Sequence, residues 1–279
     1  MSNSADLLSL FATFFNYGQV LPTHRSKHSP FGGPFQPAVT QAIRLLSSQP
    51  FSQPPPPPSH AHISDPFTTG ALTYTTTGTD IFPAPSVHPR NRHAWVHVFP
   101  EGLVHQHPSS DLRYFKWGVA RLILEAEPAP DVLPMFIDGT QRIMPEHREF
   151  PRFVPRVGKH VRVAFGDVLD YDATFGDLRR RWQGLVQRAR AQRSLTRGPE
   201  VSMLGELTDE WLRHGREAEE IRIEVARRMR EEVLKVRKQM GGFPETDPRL
   251  ADAATWAADA GVKEKKYKSR VDGSDINQD

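Results

Sequence analysis

The sequence predicts an α/β fold, in which helices flank a mixed, largely parallel sheet and long charged helices follow. Three apolar segments are typical of buried strands, because β-branched and aromatic residues fill strands that lie between packed layers. These segments are residues 95–99, 131–138 and 158–165. A helical segment lies between the first two, and crossovers of this length favour a parallel or mixed sheet with helices on both faces.

The first helix is predicted over residues 37–48, after a short strand at Gln19–Leu21. Pro37 occupies the first turn, where a proline is tolerated because its missing N–H would have no partner. Apolar residues then recur at helical spacing and form one stripe, which consists of Val39, Ala42, Ile43 and Leu46.

Residues 49–92 differ in composition from their surroundings. They contain ten of the 25 prolines of the chain, with Pro54–Pro58 in one run. Such a segment cannot bury enough apolar area to offset its ordering entropy, so we predict a disordered insertion.

The segment Phe99–Gly102 is the most informative turn of the chain. Pro100 cannot donate to a strand ladder and Gly102 can take a positive φ, so the strand must end here. Glu101 then lies at the carboxyl end of a strand, where open α/β sheets bind ligands. It could orient a substrate hydroxyl or a neighbouring arginine. Arg113 and Lys116 follow closely and could hold a phosphate.

The alternative for this turn is that it only ends a strand. Strand-Pro-X-Gly turns are common, and the glutamate in them is usually solvated. A helix is predicted next, from about residue 111 to 127, with Asp111 as its N-cap. Pro128 and Pro130 end it.

The C-terminal part is predicted to be helical and highly charged over residues 175–193 and 202–240. One apolar stripe opposes a charged face in the second helix, and it consists of Ile221, Val225, Met229, Val236 and Met240. We favour packing of these helices on the sheet or on each other over a helix on a membrane surface. The predicted organisation is therefore an α/β domain over 1–170 with its insertion, a helical extension over 171–242 and a disordered tail over 243–279.

Composition limits the possible functions. The 279 residues are 38% hydrophobic and 25% charged, which is typical of a soluble globular protein. Because cysteine is absent, disulfides, zinc–thiolate sites and thiol nucleophiles are excluded. No apolar run is long enough to span a bilayer. The net charge of +3 is weakly basic, and without an aromatic-laced basic patch we predict no nucleic-acid partner.

Two segments leave alternatives open or give a weak signal. Residues 1–16 are very apolar but lack the features of a signal peptide, so they form either a buried helix or an interfacial segment. His105, His107 and Asp111 could be arranged as metal ligands, but a His-x-His loop without a further ligand set is weak evidence. We predict neither a metal nor a cofactor.

Several segments together resemble the tafazzin family, in order and in spacing. They are GQVLPTHR (18–25), WVHVFPEG (95–102), LRYFKWGVARLILEA (112–126), VLPMFIDG (132–139), FPRF (150–153) and VRVAFGD (161–167). Tafazzins are glycerolipid acyltransferases related to the bacterial lysophosphatidic acid acyltransferase domain. The resemblance covers about 120 residues, within 8–48 and 93–170. The insertion and the charged C-terminus look like elaborations of a fungal version.

The resemblance implies acyl exchange between phospholipids and lysophospholipids without CoA. Cardiolipin and monolysocardiolipin would be the substrate pair, and the chain would bind peripherally to a mitochondrial membrane that faces the intermembrane space. In the family, the Phe-Pro-Glu-Gly block and an arginine of the preceding motif contact the glycerol phosphate. Glu101, Gly102 and Arg25 match these by position, and Thr23 adjoins the same turn. Pro100, Arg113 and Lys116 complete the predicted substrate-binding set.

The resemblance assigns no catalytic residue to this chain. The family's base is a His-x4-Asp motif upstream of the GQVLPT segment, whereas His60 and Asp65 show this spacing inside the predicted insertion. A general base must be held beside the substrate hydroxyl, and a proline-flanked loop lacks the required rigidity. We therefore expect a family member without its N-terminal part. Two alternatives remain, a non-catalytic lipid- or partner-binding remnant and an acyl-CoA-dependent lysophospholipid acyltransferase.

Overall fold

The computed structural model describes residues 18, 20–26, 29–48, 73–83, 94–103, 106–107, 109–145, 154–197, 204–257, 265–268 and 275–278. Its helices are α1 (Pro37–Leu45), α2 (Trp117–Glu125), α3 (Thr140–Ile143), α4 (Tyr171–Arg197), α5 (Glu210–His214), α6 (Arg216–Met240) and α7 (Ala253–Ala257), with a 3-10 turn at Pro248–Ala251. Its strands are β1 (Thr73–Tyr74), β2 (Phe82–Pro83), β3 (Met135–Asp138), β4 (Arg162–Phe165), β5 (Lys265–Lys268) and β6 (Asp275–Gln278).

The strands form three separate antiparallel pairs, β1–β2, β3–β4 and β5–β6. The predicted mixture of helices and strands is confirmed. A parallel pair is not present among the residues that the structure describes. Residues 94–99, which include the predicted strand 95–99, pair with no described segment.

Residues 94–99 alternate between a half-buried and an exposed face. Val96 and Val98 pack with Leu21 against a small apolar cluster of α1 and α2. Trp95 is 83% exposed and Phe99 is 68% exposed. The prediction of a strand buried between two layers is therefore wrong. Side chains of an extended segment alternate between its faces, and only one face is covered here.

The β3–β4 pair also has one covered face. Phe136 lies opposite Ala164, and both pack against the main core. The register places Ile137 opposite Val163 on the other face. The alternating residues of the predicted third strand, Val161, Val163 and Phe165, are exposed rather than buried. The small Ala164 faces the core instead, where helix α6 packs against this pair.

The main core is formed by α2, α4, α6 and the inner face of β3–β4. Helix α4 contributes a buried row that consists of Phe175, Leu178, Trp182, Leu185 and Ala189. Helix α6 contributes Ile221, Val225, Met229, Val233 and Val236. The predicted apolar stripe and the predicted packing of these helices are thus confirmed, although Met240 is only partly buried.

The helix predicted over 202–240 is two helices, α5 and α6, that meet at Gly215. A Cβ at this position would lie 2.2 Å from the carbonyl oxygen of Trp211, so the close approach requires glycine. The chain changes direction there, which continuous periodicity cannot indicate. Helix α4 is longer than the predicted 175–193.

Part of the predicted disordered insertion is a hairpin formed by residues 73–83. The carboxylate of Asp80 accepts hydrogen bonds from the backbone N–H groups of Thr76 and Thr77 and from the hydroxyls of Thr75 and Thr76. Burial raises the pKa of Asp80, but these hydrogen bonds lower it far more, so the carboxyl stays ionised. Local side-chain bonds of this kind stabilise a turn without a large apolar core.

Asp111 corrects two further predictions. Its carboxylate accepts a hydrogen bond from the Thr246 hydroxyl (2.8 Å) and pairs with Arg237 (3.2 Å). It is therefore not a helix N-cap, and α2 begins at Trp117 instead. Because Phe243 and Thr246 contact the core and its neighbours, residues 243–257 of the predicted disordered tail are packed. The other described parts of that tail, residues 265–268 and 275–278, pair as β5 and β6.

Asp138, at the end of β3, is a buried carboxylate with several partners. It accepts hydrogen bonds from Gln141 (3.0 Å), Arg142 (2.6 Å) and Arg162 (3.1 Å). Burial raises its pKa, but the hydrogen bonds from Gln141 and Arg162 and the charge of Arg142 lower it more. The net pKa of Asp138 lies below the ordinary value of 3.8.

We expect Asp138→Asn to lower the free energy of unfolding at pH 7 by about 1.5–3 kcal/mol, because it removes charged hydrogen bonds. Since the folded pKa is depressed, the contribution of Asp138 is present above pH 3.8 and lost as the pH falls through the folded pKa. When urea unfolding is measured between pH 7 and pH values below 3.8, the free energy of unfolding of the variant should depend less on pH than that of the wild type. Asp247→Asn, which removes a partly exposed partner of the exposed Arg249, should change the unfolding curve far less. Equal acid dependence of wild type and Asp138→Asn would contradict the prediction.

Candidate functional site

The turn at Phe99–Gly102 forms one corner of the candidate site. The N–H of Gly102 donates to the carbonyl of Phe99 (3.1 Å), and Gly102 has a φ of +69°. The N–H of Lys116 donates to the carbonyl of Pro100 (2.7 Å), so the turn is tied to the segment before α2. A Cβ on Gly102 would lie 3.1 Å from the side chain of Lys116. This confirms the turn chemistry that Pro100 and Gly102 predicted.

Glu101 is held in this corner by a backbone donor. The N–H of Arg113 donates to Oε2 of Glu101 (2.9 Å), and the glutamate side chain is half-buried. The alternative of a merely solvated turn residue does not fit this contact. A carboxylate with a fixed orientation can accept a hydrogen bond from a substrate hydroxyl.

The side chains of Arg113 and Lys116 do not point to one common site in the structure. Arg113 is buried, and its guanidinium carbon lies 4.6 Å from the ring centroid of Trp256. It is the backbone of Arg113, and not its side chain, that meets Glu101. Lys116 is exposed, and its ammonium donates to the hydroxyl of Tyr114. A phosphate contact by either residue stays a prediction.

Two buried arginines of α6 hold the segment that contacts Glu101. Arg230 donates to the carbonyls of Leu112 (2.8 Å) and Arg113 (3.1 Å). Arg237 donates to the carbonyls of Ser109 (2.8 Å) and Ser110 (3.1 Å). Burial lowers the pKa of Arg230, while the charges of Asp111 and Glu101 oppose that effect.

Sequence reasoning did not identify these arginines, because they were assigned to the solvated face of the helix. A signal was nevertheless present. Arg222, Arg230 and Arg237 are spaced by eight and seven residues, which keeps them beside the apolar stripe.

Thr23 and Arg25 lie in a second segment, and the side chains of both are exposed. The carbonyl of Arg25 accepts from the N–H of Ser29 (2.9 Å), which closes a turn. The ring of His24, between them, lies 2.7 Å from the hydroxyl of Thr76 in the hairpin. Leu21 shares a cluster with Val96 and Val98, so this segment and the Glu101 segment rest on the same helices. No contact between the residues described joins Arg25 to Glu101 directly.

Several predicted features lie outside the described residues. These are residues 1–16, the pair His60 and Asp65, His105, and the FPRF segment at 150–153. His107 is described, and its Nδ1 lies 3.7 Å from Asp111. Within the described ranges, no group of three or more histidine or carboxylate side chains could hold a metal ion. No helix in those ranges is long and apolar enough to cross a membrane.

Comparison with known proteins finds similarity to tafazzins. The chain is 33% identical to tafazzin of Saccharomyces cerevisiae over 253 residues, which is 88% of this chain and 58% of the yeast protein. It is 38% identical to tafazzin of Drosophila melanogaster over 87 residues, 31% of this chain and 22% of the fly protein. It is also 38% identical to N-acylphosphatidylethanolamine synthase of Arabidopsis thaliana over 81 residues, 28% of each chain. No family model matches.

The extent of these matches differs from the predicted extent of resemblance. The yeast alignment covers 88% of the chain, so it must include most of the residues from 171 to 242 and exceeds the predicted 120 or so. The fly and plant alignments are much shorter. The sequence similarity to the yeast protein therefore extends into the segment that forms α4 to α6. The chain spans 58% of that relative's length.

Proposed function

We propose that the chain, which is tafazzin-type by its similarity to the tafazzins of yeast, fly and Dictyostelium, is a phospholipid acyltransferase that moves acyl chains from a phospholipid to a lysophospholipid. The observation that carries the proposal is the Glu101 corner, in which a carboxylate is fixed by the Arg113 N–H at the end of the Phe-Pro-Glu-Gly turn. A glycerol hydroxyl and a phosphate are the groups that Glu101 and the exposed cations Arg25 and Lys116 would recognise.

The reaction exchanges one ester for another. The hydroxyl oxygen of the lysophospholipid forms a bond to the acyl carbonyl carbon, and the ester bond of the donor phospholipid breaks. The proton of the attacking hydroxyl passes to the departing glycerol oxygen, so no water or CoA is consumed. The residues described here supply binding and orientation, in which Glu101 accepts a hydrogen bond from the glycerol part of the substrate. We assign the catalytic base to none of them.

We propose that the chain works at a membrane surface. Trp95 and Phe99 flank the Glu101 turn with their side chains exposed, and Val157 and Phe165 are exposed on the β3–β4 side. Aromatic residues are favoured at the interface of a bilayer, and exposed apolar groups are a common sign of such contacts. Arg156 and Lys159 beside Val157 would favour anionic lipid.

More specifically, we propose that cardiolipin and monolysocardiolipin are the substrate pair and that the membrane is mitochondrial, on the side of the intermembrane space. The support is the similarity to proteins named tafazzin. An acyl-CoA-dependent reaction would use the same corner, and a non-catalytic chain would bind the same lipids. The plant relative's name, N-acylphosphatidylethanolamine synthase, makes the amine of phosphatidylethanolamine an additional acceptor to test.

The deciding experiment is an acyl-exchange assay with the purified chain. Vesicles would contain phosphatidylcholine with a labelled acyl chain and monolysocardiolipin as acceptor, without CoA. We expect labelled cardiolipin and unlabelled lysophosphatidylcholine to appear in equal amounts, and the protein to co-sediment with the vesicles.

Other outcomes separate the alternatives. Label that appears only when acyl-CoA replaces the phospholipid donor would indicate the CoA-dependent reaction. Label on the amine of phosphatidylethanolamine would indicate N-acyl transfer. Vesicle binding without any transfer would contradict the proposed activity and leave a lipid-binding chain. Loss of transfer on His60→Ala would overturn our exclusion of His60 as a base.

A further inference from the structure

Helix α6 carries three buried arginines that bind backbone carbonyls of other segments. Arg222 binds the carbonyls of Leu212 and Arg213, both in α5. Arg230 and Arg237 bind the segment 109–113, which lies between the Glu101 turn and α2. All three guanidinium groups are almost inaccessible to solvent. A buried guanidinium needs hydrogen-bond acceptors, and backbone carbonyls supply them here, although Nε of Arg222 has no partner among the described residues.

A single peptide group joins Arg230 to Glu101. The carbonyl of Leu112 and the N–H of Arg113 belong to the same planar unit. Nη2 of Arg230 donates to that carbonyl (2.8 Å), and the N–H donates to Oε2 of Glu101 (2.9 Å). Because the unit is planar and nearly rigid, fixing its carbonyl end also fixes the direction of its N–H. A cationic donor at the carbonyl polarises the peptide and strengthens the N–H as a donor.

A second hydrogen bond from Arg230 makes the interaction specific for arginine. Nε donates to the carbonyl of Arg113 (3.1 Å), so two successive carbonyls are bound by one planar guanidinium. A lysine has a single charged nitrogen without this fixed geometry and could not hold both carbonyls in the same orientation.

We propose that Arg230 is a positioning residue for Glu101, which acts through the Leu112–Arg113 peptide and sets the affinity of the corner for the glycerophosphate part of its lipid. The inference rests on the proposed function for its substrate and on the hydrogen bonds alone for its geometry. Helix α6 of the helical extension would thereby contribute to the Glu101 corner. The yeast alignment, which covers 88% of the chain, is consistent with this.

The test uses the full chain with Arg230→Lys, and Arg222→Lys as the matched control. Both arginines lie on the buried face of α6 and bind two carbonyls, but Arg222 binds carbonyls remote in sequence from Glu101. The first readout is amide hydrogen exchange at Arg113. We expect Arg230→Lys to raise this exchange rate about 10-fold, and Arg222→Lys to leave it unchanged at matched stability.

The second readout is the KM for the lysophospholipid acceptor in the acyl-exchange assay. We expect Arg230→Lys to raise KM about 5- to 10-fold with little change in kcat. In a Glu101→Ala background the same substitution should have no further effect, because the residue it positions is gone. A purely structural role for Arg230 would persist in that background.

Each outcome decides the inference. An unchanged exchange rate at Arg113 in Arg230→Lys would overturn it, and so would a KM effect that survives in Glu101→Ala. A wild-type chain with no transfer activity would instead count against the proposed function. The exchange rate would then decide the positioning role without it.

Discussion

Arg121→Met is expected to lower the free energy of unfolding by about 3–5 kcal/mol, because it leaves the carboxylate of Glu125 buried without its partner. Arg121 is 1% exposed, and its guanidinium binds both oxygens of Glu125 (2.7 and 2.6 Å). The same group donates to the carbonyls of Pro34 (3.0 Å) and Gly205 (2.6 Å). It thus joins α2 to the chain before α1 and after α4. Denaturant unfolding of the two proteins measures the difference.

A matched control exists on the surface of the same protein. Arg216 and Glu220 form an ion pair with the same sequence spacing on α6, but their side chains are 93% and 51% exposed. Arg216→Met should change the free energy of unfolding by less than about 0.5 kcal/mol, since exposed pairs of this type contribute little. Similar losses in the two variants would contradict the argument that burial makes the difference.

Glu101→Ala is expected to lower kcat/KM for acyl exchange about 100-fold, because it removes the oriented acceptor for the substrate and loosens the corner. The kcat/KM of Glu101→Gln should lie between those of Glu101→Ala and the wild type. Its amide oxygen can still accept the Arg113 N–H, but it carries no charge. The assay is transfer of a labelled acyl chain from phosphatidylcholine, with acceptor concentration varied.

Glu217→Ala serves as the control for Glu101, since it removes a partly exposed glutamate of α6 that pairs with Arg188. It should leave the kinetics unchanged. Thermal unfolding of each variant would show that lost activity does not reflect lost fold. Full activity in folded Glu101→Ala would exclude the carboxylate from the site.

The parts of the structure that the sequence could predict are those with local causes. The turn at Pro100 and Gly102 follows from the conformational limits of two residue types, and the buried stripe of α6 follows from helical periodicity. The break at Gly215 was missed because its cause is contact with Trp211 and not a change of pattern. The pairing of β3 with β4 was missed because strand segments alone do not specify their partners or direction.

The charged residues were the hardest to assign. Arg230 and Arg121 look like solvated residues in a charged segment, yet both are buried, because backbone carbonyls and one carboxylate satisfy their N–H groups. Such partners are distant in sequence and leave no local pattern. The hydrogen bond from the Arg113 N–H to Glu101 also leaves no sequence pattern, because every residue except proline has a backbone N–H.

The bond between Arg230 and Leu112 also has a consequence for biosynthesis, since it spans 118 residues of chain. During translation the Phe-Pro-Glu-Gly segment leaves the ribosome long before α6 does, and contacts of such high sequence separation form late. The corner around Glu101 therefore gains its final geometry only after almost the whole described chain has been synthesised. In a nascent chain the Glu101 corner is not assembled until the last long helix docks.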